Sequence, residues 1–346
     1  MKTLKNQNFK EKRVLLRCDF NVPLGSQGEI LDDFRLKKSL PTINYLIEMG
    51  AKVILMSHLG RPEGKRDLAF SLERIGKRLS ELSGREIIFI EDCIGKEIEE
   101  KTLGMKEGEI LLLENLRFHK EEEENDEGFA KELALLGDVF VNDAFSVCHR
   151  ENASVSAITK FLPSFAGLLL EEETRVLSDL KNNPAKPLVA VIGGIKMETK
   201  VRLIDEISKV ADFILISNLL KREVDEKNIV FKHPEKIVAA IDELEGGKDI
   251  GPKTIEIFKE KIGLAKTVFW NGPLGQIEKE EFSLGSKEVA KAIVESPAFS
   301  VAGGGETIEF LNKVGLLDKF GYVSTGGGAM LSFLVGEKMP GIEVLG

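Results

Sequence analysis

Four apolar runs in the first 150 residues each lead into a polar cluster that carries an arginine. Val14-Leu15-Leu16 runs into Arg17-Cys18-Asp19-Phe20-Asn21, and Val53-Ile54-Leu55-Met56 into Ser57-His58-Leu59-Gly60-Arg61. Ile110 to Leu113 runs into Glu114-Asn115-Leu116-Arg117, and Val139-Phe140-Val141 into Asn142-Asp143, with His149-Arg150 shortly after. Planar guanidinium forks match carboxylate and phosphate oxygens two at a time. Several of them at one place repel one another unless an anion neutralises them, so the first half predicts a site for a small polyanion. The second half carries three glycine-rich junctions: Ile192-Gly193-Gly194-Ile195-Lys196, Ala302-Gly303-Gly304-Gly305-Glu306-Thr307 and Ser324-Thr325-Gly326-Gly327-Gly328-Ala329. Glycine lets backbone N–H groups come close to an anion, and a following helix N-terminus adds favourable partial charge. Lys196 and Lys200 stand four apart at the start of a helical pattern and share a face. Neither G-x-x-x-x-G-K-[ST] nor G-x-G-x-x-G occurs, so a P-loop or dinucleotide fingerprint is not supported. An anion site in one half and a phosphate cradle in the other predict phosphoryl transfer between two substrates across a cleft, with domain closure to exclude water.

These residues need a scaffold that brings them together. Short β-branched runs separated by helical stretches read as buried parallel strands, and in an open parallel sheet ligands sit beyond the carboxyl ends of the strands. The first half predicts strands at 14–18, 53–57, 87–90, 110–114 and 139–142, with helices near 36–49, 71–82 and 127–136. Ala166 to Leu180 is an amphipathic helix, and Asn182-Asn183-Pro184-Ala185-Lys186-Pro187 breaks it. Alternation then restarts, with strands near 188–192, 213–217, 266–270, 298–302 and 321–324 and helices between them. The expected fold is α/β: two doubly wound parallel-sheet (Rossmann-like) domains, 1–165 and 183–333, joined by an interdomain helix over 166–182 with a cleft between them. The acidic run Glu121 to Glu124 reads as a solvated helix start.

Composition narrows the function classes. The chain has 346 residues, and its net charge of -9 speaks against a nucleic-acid surface, which needs a broad basic field. Met1 to Arg13 has no apolar core, and no stretch approaches the ~20 apolar residues that span a bilayer. Three cysteines without a C-x-x-C suit free thiols in a reducing cytoplasm. Four scattered histidines offer no zinc spacing. Cys148 beside His149 reads as a packed thiol, since nothing orients the histidine.

The motifs resemble the phosphoglycerate kinase family over nearly the whole chain. Arg17-Cys18-Asp19-Phe20-Asn21-Val22-Pro23, Asp32-Asp33-Phe34-Arg35, Ser57-His58-Leu59-Gly60-Arg61-Pro62, Glu114-Asn115-Leu116-Arg117-Phe118-His119 and Asn142-Asp143-Ala144-Phe145 are similar to its first domain, in order. Gly193-Gly194-x-Lys196, Trp270-Asn271-Gly272-Pro273-x-Gly275, Gly303-Gly304-Gly305-Glu306 and Ser324-Thr325-Gly326-Gly327-Gly328-Ala329 are similar to its second. The resemblance implies reversible transfer between ATP and the carboxylate of 3-phosphoglycerate. It implies that Asp19, Asn21, Arg35, His58, Arg61, Arg117 and Arg150 hold the phosphoglycerate. Lys200, Asn271, Glu278 and the loop Gly303, Gly304, Gly305, Glu306 and Thr307 would hold the nucleotide, with Glu278 near the ribose. Arg35, Lys196, Gly304 and Gly327 would surround the phosphoryl group in transit, and Glu306 would hold Mg²⁺. The final segment, about 334–346, would return to the first domain. The implied protein is a cytoplasmic monomer acting on small molecules.

The chain departs from the family pattern between Ile216 and Ile250, where Ser217-Asn218-Leu219-Leu220 replaces a glycine-rich loop and several tens of residues are missing. The resemblance places the adenine pocket there, and Lys248 stands where the family has an apolar residue. Relaxed base recognition and replacement by other apolar contacts both fit. So does a binding protein of this family with weak or lost kinase activity. Glu306 replaces an aspartate, Asn152 a common histidine, and Ser146-Val147 a Gly-Thr.

Overall fold

The structure, a computed structural model, describes residues 1–194 and 197–346. The chain divides into two compact units, 1–174 with 338–346, and 175–337.

The first unit is built on β1 (Arg13–Arg17), β2 (Lys52–Met56), β3 (Ile88–Ile90), β4 (Ile110–Leu113), β5 (Val139–Asn142) and β6 (Ser164–Ala166), all parallel, in the order β3-β4-β2-β1-β5-β6. Central strands covered on both faces read as unbroken apolar runs, and alternate residues serve opposite cores. Val14, Leu16, Val53, Leu55, Leu112 and Val141 pack on one face, while Leu15, Ile54, Met56, Leu111, Leu113 and Phe140 pack on the other. Helices α1 (Phe34–Glu48), α2 (Glu73–Ser83), α3 (Lys96–Leu103) and α4 (Glu127–Leu135) connect the strands. The strand β6 and helix α3 were not expected, because neither carries a clear apolar period. The chain end is tied to this unit: Lys2 N–H donates to Leu345 O at 2.9 Å, and the Asn142 amide donates to Gly341 O at 3.1 Å.

The helix α5 (Leu168–Asn182) follows β6. The second sheet comprises β7 (Leu188–Ile192), β8 (Phe213–Ile216), β9 (Ile237–Ala239), β12 (Thr267–Asn271), β13 (Phe299–Gly303) and β14 (Tyr322–Ser324), with the antiparallel pair β10 (Glu243–Leu244) and β11 (Asp249–Ile250) beside it. Its order is β14-β13-β12-β7-β8-β9, again parallel throughout. Helices α6 (Met197–Ile207), α7 (Asn218–Glu226), α8 (Pro252–Gly263), α9 (Leu284–Glu295), α10 (Gly305–Lys313) and α11 (Gly328–Leu334) complete the second unit, and α12 (Pro340–Glu343) lies in the first.

The start of α5 depends on one buried acid. Asp143 Oδ1 accepts from Leu169 N–H at 2.9 Å and Leu170 N–H at 3.3 Å, and Oδ2 is buried with Thr42 beside the carboxyl. Burial outweighs the hydrogen bonds and pushes this carboxyl up from 3.8 to about 7. The folded protein therefore keeps a proton that the unfolded chain has released. The stability this supplies is complete below about pH 4 and is lost as pH rises through about 7. Asp143→Asn keeps an oxygen for α5 and removes the charge. Its melting temperature is expected to fall less than the wild type's between about pH 5 and pH 8, a difference worth a few kcal/mol at most. An identical fall in both proteins, measured by calorimetry, refutes this.

Candidate active site

The carboxyl ends of β1, β2, β4 and β5 deliver the polar clusters of the first unit. Arg35, in the first turn of α1, places one Nη1 at 2.9 Å from Asp19 Oδ2 and 2.8 Å from Asn21 O. Asn21 N–H donates to Asp19 Oδ1 at 2.9 Å, and the Asn21 side-chain oxygen accepts from Gly60 N–H at 2.9 Å, which joins the β1 loop to the β2 loop. Ser146 hydroxyl also donates to Asp19 Oδ2. Burial by itself would raise the Asp19 carboxyl, but the Arg35 charge and these hydrogen bonds outweigh it and hold it below the usual range. Arg117 is 4% exposed and donates to Gly60 O at 2.9 Å. Burial lowers its proton affinity, and the nearby Arg17 and Arg150 charges lower it further. His58 is buried, and burial followed by the Arg17 charge holds it well below its ordinary value. Arg61 and Arg150 are exposed beside these residues in sequence, next to Gly60 and His149.

Two readings from sequence are corrected here. Arg17 does not project outward as Arg61 and Arg150 do; it is 1% exposed and donates through Nε to Ser154 Oγ at 2.9 Å. Glu122 is not part of a solvated helix start. It is 1% exposed and accepts from both Ser154 N–H and Ser154 Oγ, while α4 is capped by Asp126, whose carboxylate accepts from Phe129 N–H at 2.7 Å. A buried guanidinium needs a buried counter-charge, and that requirement is invisible in a run of four glutamates. Cys148 is the packed thiol expected: burial pushes it up to about 12, and it donates to Ala144 O. Among the described residues, Asp92, Cys93 and His119 bring potential metal-binding atoms within 4.8 Å of one another. Burial pushes the Cys93 thiol well up, and His119 Nε2 lies in hydrogen-bond contact with Asp92 Oδ1 at 2.8 Å, so the group is a hydrogen-bonded pair beside a packed thiol.

In the second unit, the ends of β7, β12, β13 and β14 surround a cavity of about 340 Å³. Its walls include Gly194, Thr199, Lys200, Asn271, Gly272, Gly304, Gly305, Glu306, Thr307, Gly327 and Gly328. Lys200 is 6% exposed and donates to Asn271 O at 3.0 Å and to the Asn271 side-chain oxygen. The Asn271 amide in turn donates to Gly303 O at 2.7 Å, and Thr307 Oγ1 accepts from Gly272 N–H at 2.8 Å. Gly304 has φ of 104°, and a Cβ there would stand 2.7 Å from Asn271 Nδ2, so the turn into α10 admits only glycine. Gly305 and Gly327 have open space where a Cβ would project. The first-turn N–H groups of α10 lack intrahelical partners and suit phosphate oxygens. Lys196 lies outside the described residues. Glu278 sits on an exposed loop and is not part of the cavity wall. Thr199 was missed, although its place beside Lys200 in the first turn of α6 was legible.

At 217–248 the missing glycine-rich loop is replaced by a capped helix. Ser217 Oγ accepts from Leu220 N–H and starts α7 directly after β8. A second cavity, about 130 Å³, opens there between Asn218, Lys221, Arg222 and the stretch 240–243. The Lys248 ammonium lies 4.7 Å from the Phe282 ring and pairs with Glu245 at 3.1 Å.

Comparison with known proteins agrees with this geometry. A family model described as "Phosphoglycerate kinase" matches residues 4–222 and 220–337, two segments that meet at the shortened region. The phosphoglycerate kinase of Coprothermobacter proteolyticus is 42% identical over 387 residues, covering 100% of this chain and 98% of its own. That of Borrelia garinii subsp. bavariensis is 42% identical over 390 residues, covering 100% and 99%. With 346 residues here, roughly forty positions of the former have no counterpart. Among solved structures, phosphoglycerate kinase from Pyrococcus horikoshii OT3 superposes with a TM-score of 0.88 at 33% identity over 100% of this chain and 98% of that one. The Coxiella burnetii enzyme gives 0.82 at 34% identity, covering 99% and 98%. Nothing in these comparisons favours a protein that has lost its activity. The buried arginine cluster, the glycine-walled cavity and full-length similarity converge, and the chain belongs to the phosphoglycerate kinase family.

Proposed function

We propose that this phosphotransferase, whose acceptor is a carboxyl group, divides its substrates between its two units. The residues around Asp19, Asn21, Arg35, His58, Arg61, Arg117 and Arg150 take 3-phosphoglycerate. The cavity around Lys200, Asn271 and Gly303 to Thr307 takes ATP or ADP, and Glu278 reaches the ribose. The convergence of Arg35 and His58 on one buried acid, Asp19, with Arg117 acting on His58, is the observation that carries this reading.

The chemistry asks little of side chains as acids or bases. A carboxylate nucleophile has a reference pKa of about 4 and is ionised at neutral pH, so no general base is needed. The requirement is neutralisation of the charge on the phosphoryl group in transit. Arg35, Lys196 and backbone N–H groups at Gly304 and Gly327 supply it. Glu306 is a hard oxygen donor on the cavity wall, in the first turn of α10, which fits Mg²⁺. When bound, the ion would screen the phosphate oxygens. The protein acts as a cytoplasmic monomer on small molecules and uses neither nucleic acid nor a membrane. Its net charge and its free cysteines favour this.

The test is the initial rate of acyl-phosphate formation from 3-phosphoglycerate and saturating Mg–ATP, trapped as it forms. A rate on the order of tens per second is expected; no rate above background from folded protein refutes the reading. The polar wall that α7 presents at 217–248 supports relaxed selection of the base. ATP, GTP and ITP should then give kcat/KM values within about tenfold of one another, a spread of ~1.4 kcal/mol. A sharp preference for ATP would show that other contacts replaced the lost loop.

A further inference from the structure

We propose that Arg17 is a positioning residue that fixes His58 in the tautomer carrying its proton on Nε2, and that Ser154 and Glu122 hold Arg17 in place to do so. A guanidinium has five N–H donors and no acceptor. Arg17 Nη2 lies 3.2 Å from His58 Nδ1, so this nitrogen must accept and the ring proton must sit on Nε2. The other arms of Arg17 are occupied: Nε donates to Ser154 Oγ at 2.9 Å, and Nη1 donates to Cys18 O. Ser154 in turn donates to Glu122 through its N–H at 2.9 Å and its hydroxyl at 2.6 Å. Glu122 Oε1 stands 3.9 Å from Arg17 Nη2, which balances the buried charge. No member of this chain is more than 3% exposed. Arg17 therefore acts through His58 and is not itself a ligand for the acid.

The charged groups acting on His58 are Arg17, Arg35, Arg117 and Asp19. Burial and the three arginines oppose its protonation, while Asp19 alone favours it. Nε2–H is left as the ring's remaining donor. A histidine of this kind offers a substrate oxyanion one hydrogen bond of fixed direction without changing charge near neutral pH. With the opposite tautomer, Nε2 would present a lone pair to that oxyanion, and the donor would be lost. The inference rests on the reading that the acid binds in this unit, and it deepens that reading.

The experiment is nitrogen NMR of histidine-labelled protein, with the His58 signals assigned by their loss in His58→Gln. Wild type should show His58 protonated on Nε2 alone at neutral pH, with its titration below the ordinary histidine range. Arg17→Lys cannot reach all these acceptors, and Ser154→Ala keeps both charges but frees Arg17 Nε. Both should mix the tautomers, move the titration upward, and raise KM for 3-phosphoglycerate about tenfold while KM for Mg–ATP holds. A wild-type proton on Nδ1, or unaltered His58 signals in both variants, overturns the proposal. An unchanged KM in His58→Gln would overturn the substrate reading instead, because the ring signals report the tautomer independently of any ligand.

Discussion

Arg35→Ala is expected to lower turnover by about 10²–10³ while KM for Mg–ATP changes little. Arg35 is the one arginine of the site that is anchored on Asp19 and Asn21 and still partly exposed, with 29% of its side chain accessible. Its contacts with Asp19 and Asn21 aim the guanidinium, and on the proposed reading its exposed edge would meet charge that develops on the phosphoryl group. An interaction of that kind strengthens in the transition state and so acts on kcat. Arg35→Lys is a sharper test. It retains the charge, but an ammonium lacks the planar fork that can span Asp19 and a substrate oxygen together. Its turnover should fall nearly as far as that of the alanine variant. The Asp19 carboxyl loses its main stabilising charge in the alanine variant, so a modest drop in melting temperature is expected there and not in the lysine variant. Near-normal turnover in either removes Arg35 from the transfer step.

Lys200→Met carries the second large effect, and it should fall on the other substrate. The lysine is almost fully buried yet opens on the cavity, with its ammonium held by two oxygens of Asn271. Those oxygens orient the ammonium at the cavity wall, where the proposed reading puts the nucleotide phosphates. Methionine keeps most of the stem volume and deletes the charge. We expect kcat/KM for Mg–ATP to fall on the order of 10²-fold, with KM for 3-phosphoglycerate within about twofold of wild type. A fall shared equally by both substrates, with a lowered melting temperature, would mark Lys200 as a prop for the Asn271 turn instead.

Much of the scaffold was legible in the sequence because the physics is local. Val14 to Leu16, Val53 to Met56 and Leu188 to Ile192 are continuous apolar runs, and only a strand covered on both faces can bury every residue in such a run. Gly304 was legible as part of a glycine turn into a helix because glycine is the residue that tolerates its backbone angle. The strands β6 and β9 were not legible. Both are three-residue edge strands whose pairing with β5 and β8 outweighs a weak intrinsic preference.

The sequence by itself determined the strand-and-helix alternation and the arginine and glycine clusters at strand ends, whereas the shortening near 217–248 was visible only against the family it resembles. The alternation and the clusters follow from residue type and spacing within one element. Tertiary structure alone decided which way the charges face. Arg17 turns inward because Ser154, 137 positions away, and Glu122 meet it across the loops. Asp143 holds its proton because the fold buries it against the start of α5, and Asp19 gives its proton up because Arg35 arrives from α1. Strand order sets these encounters, and Coulomb energy and desolvation depend on distance and burial, which no local pattern encodes.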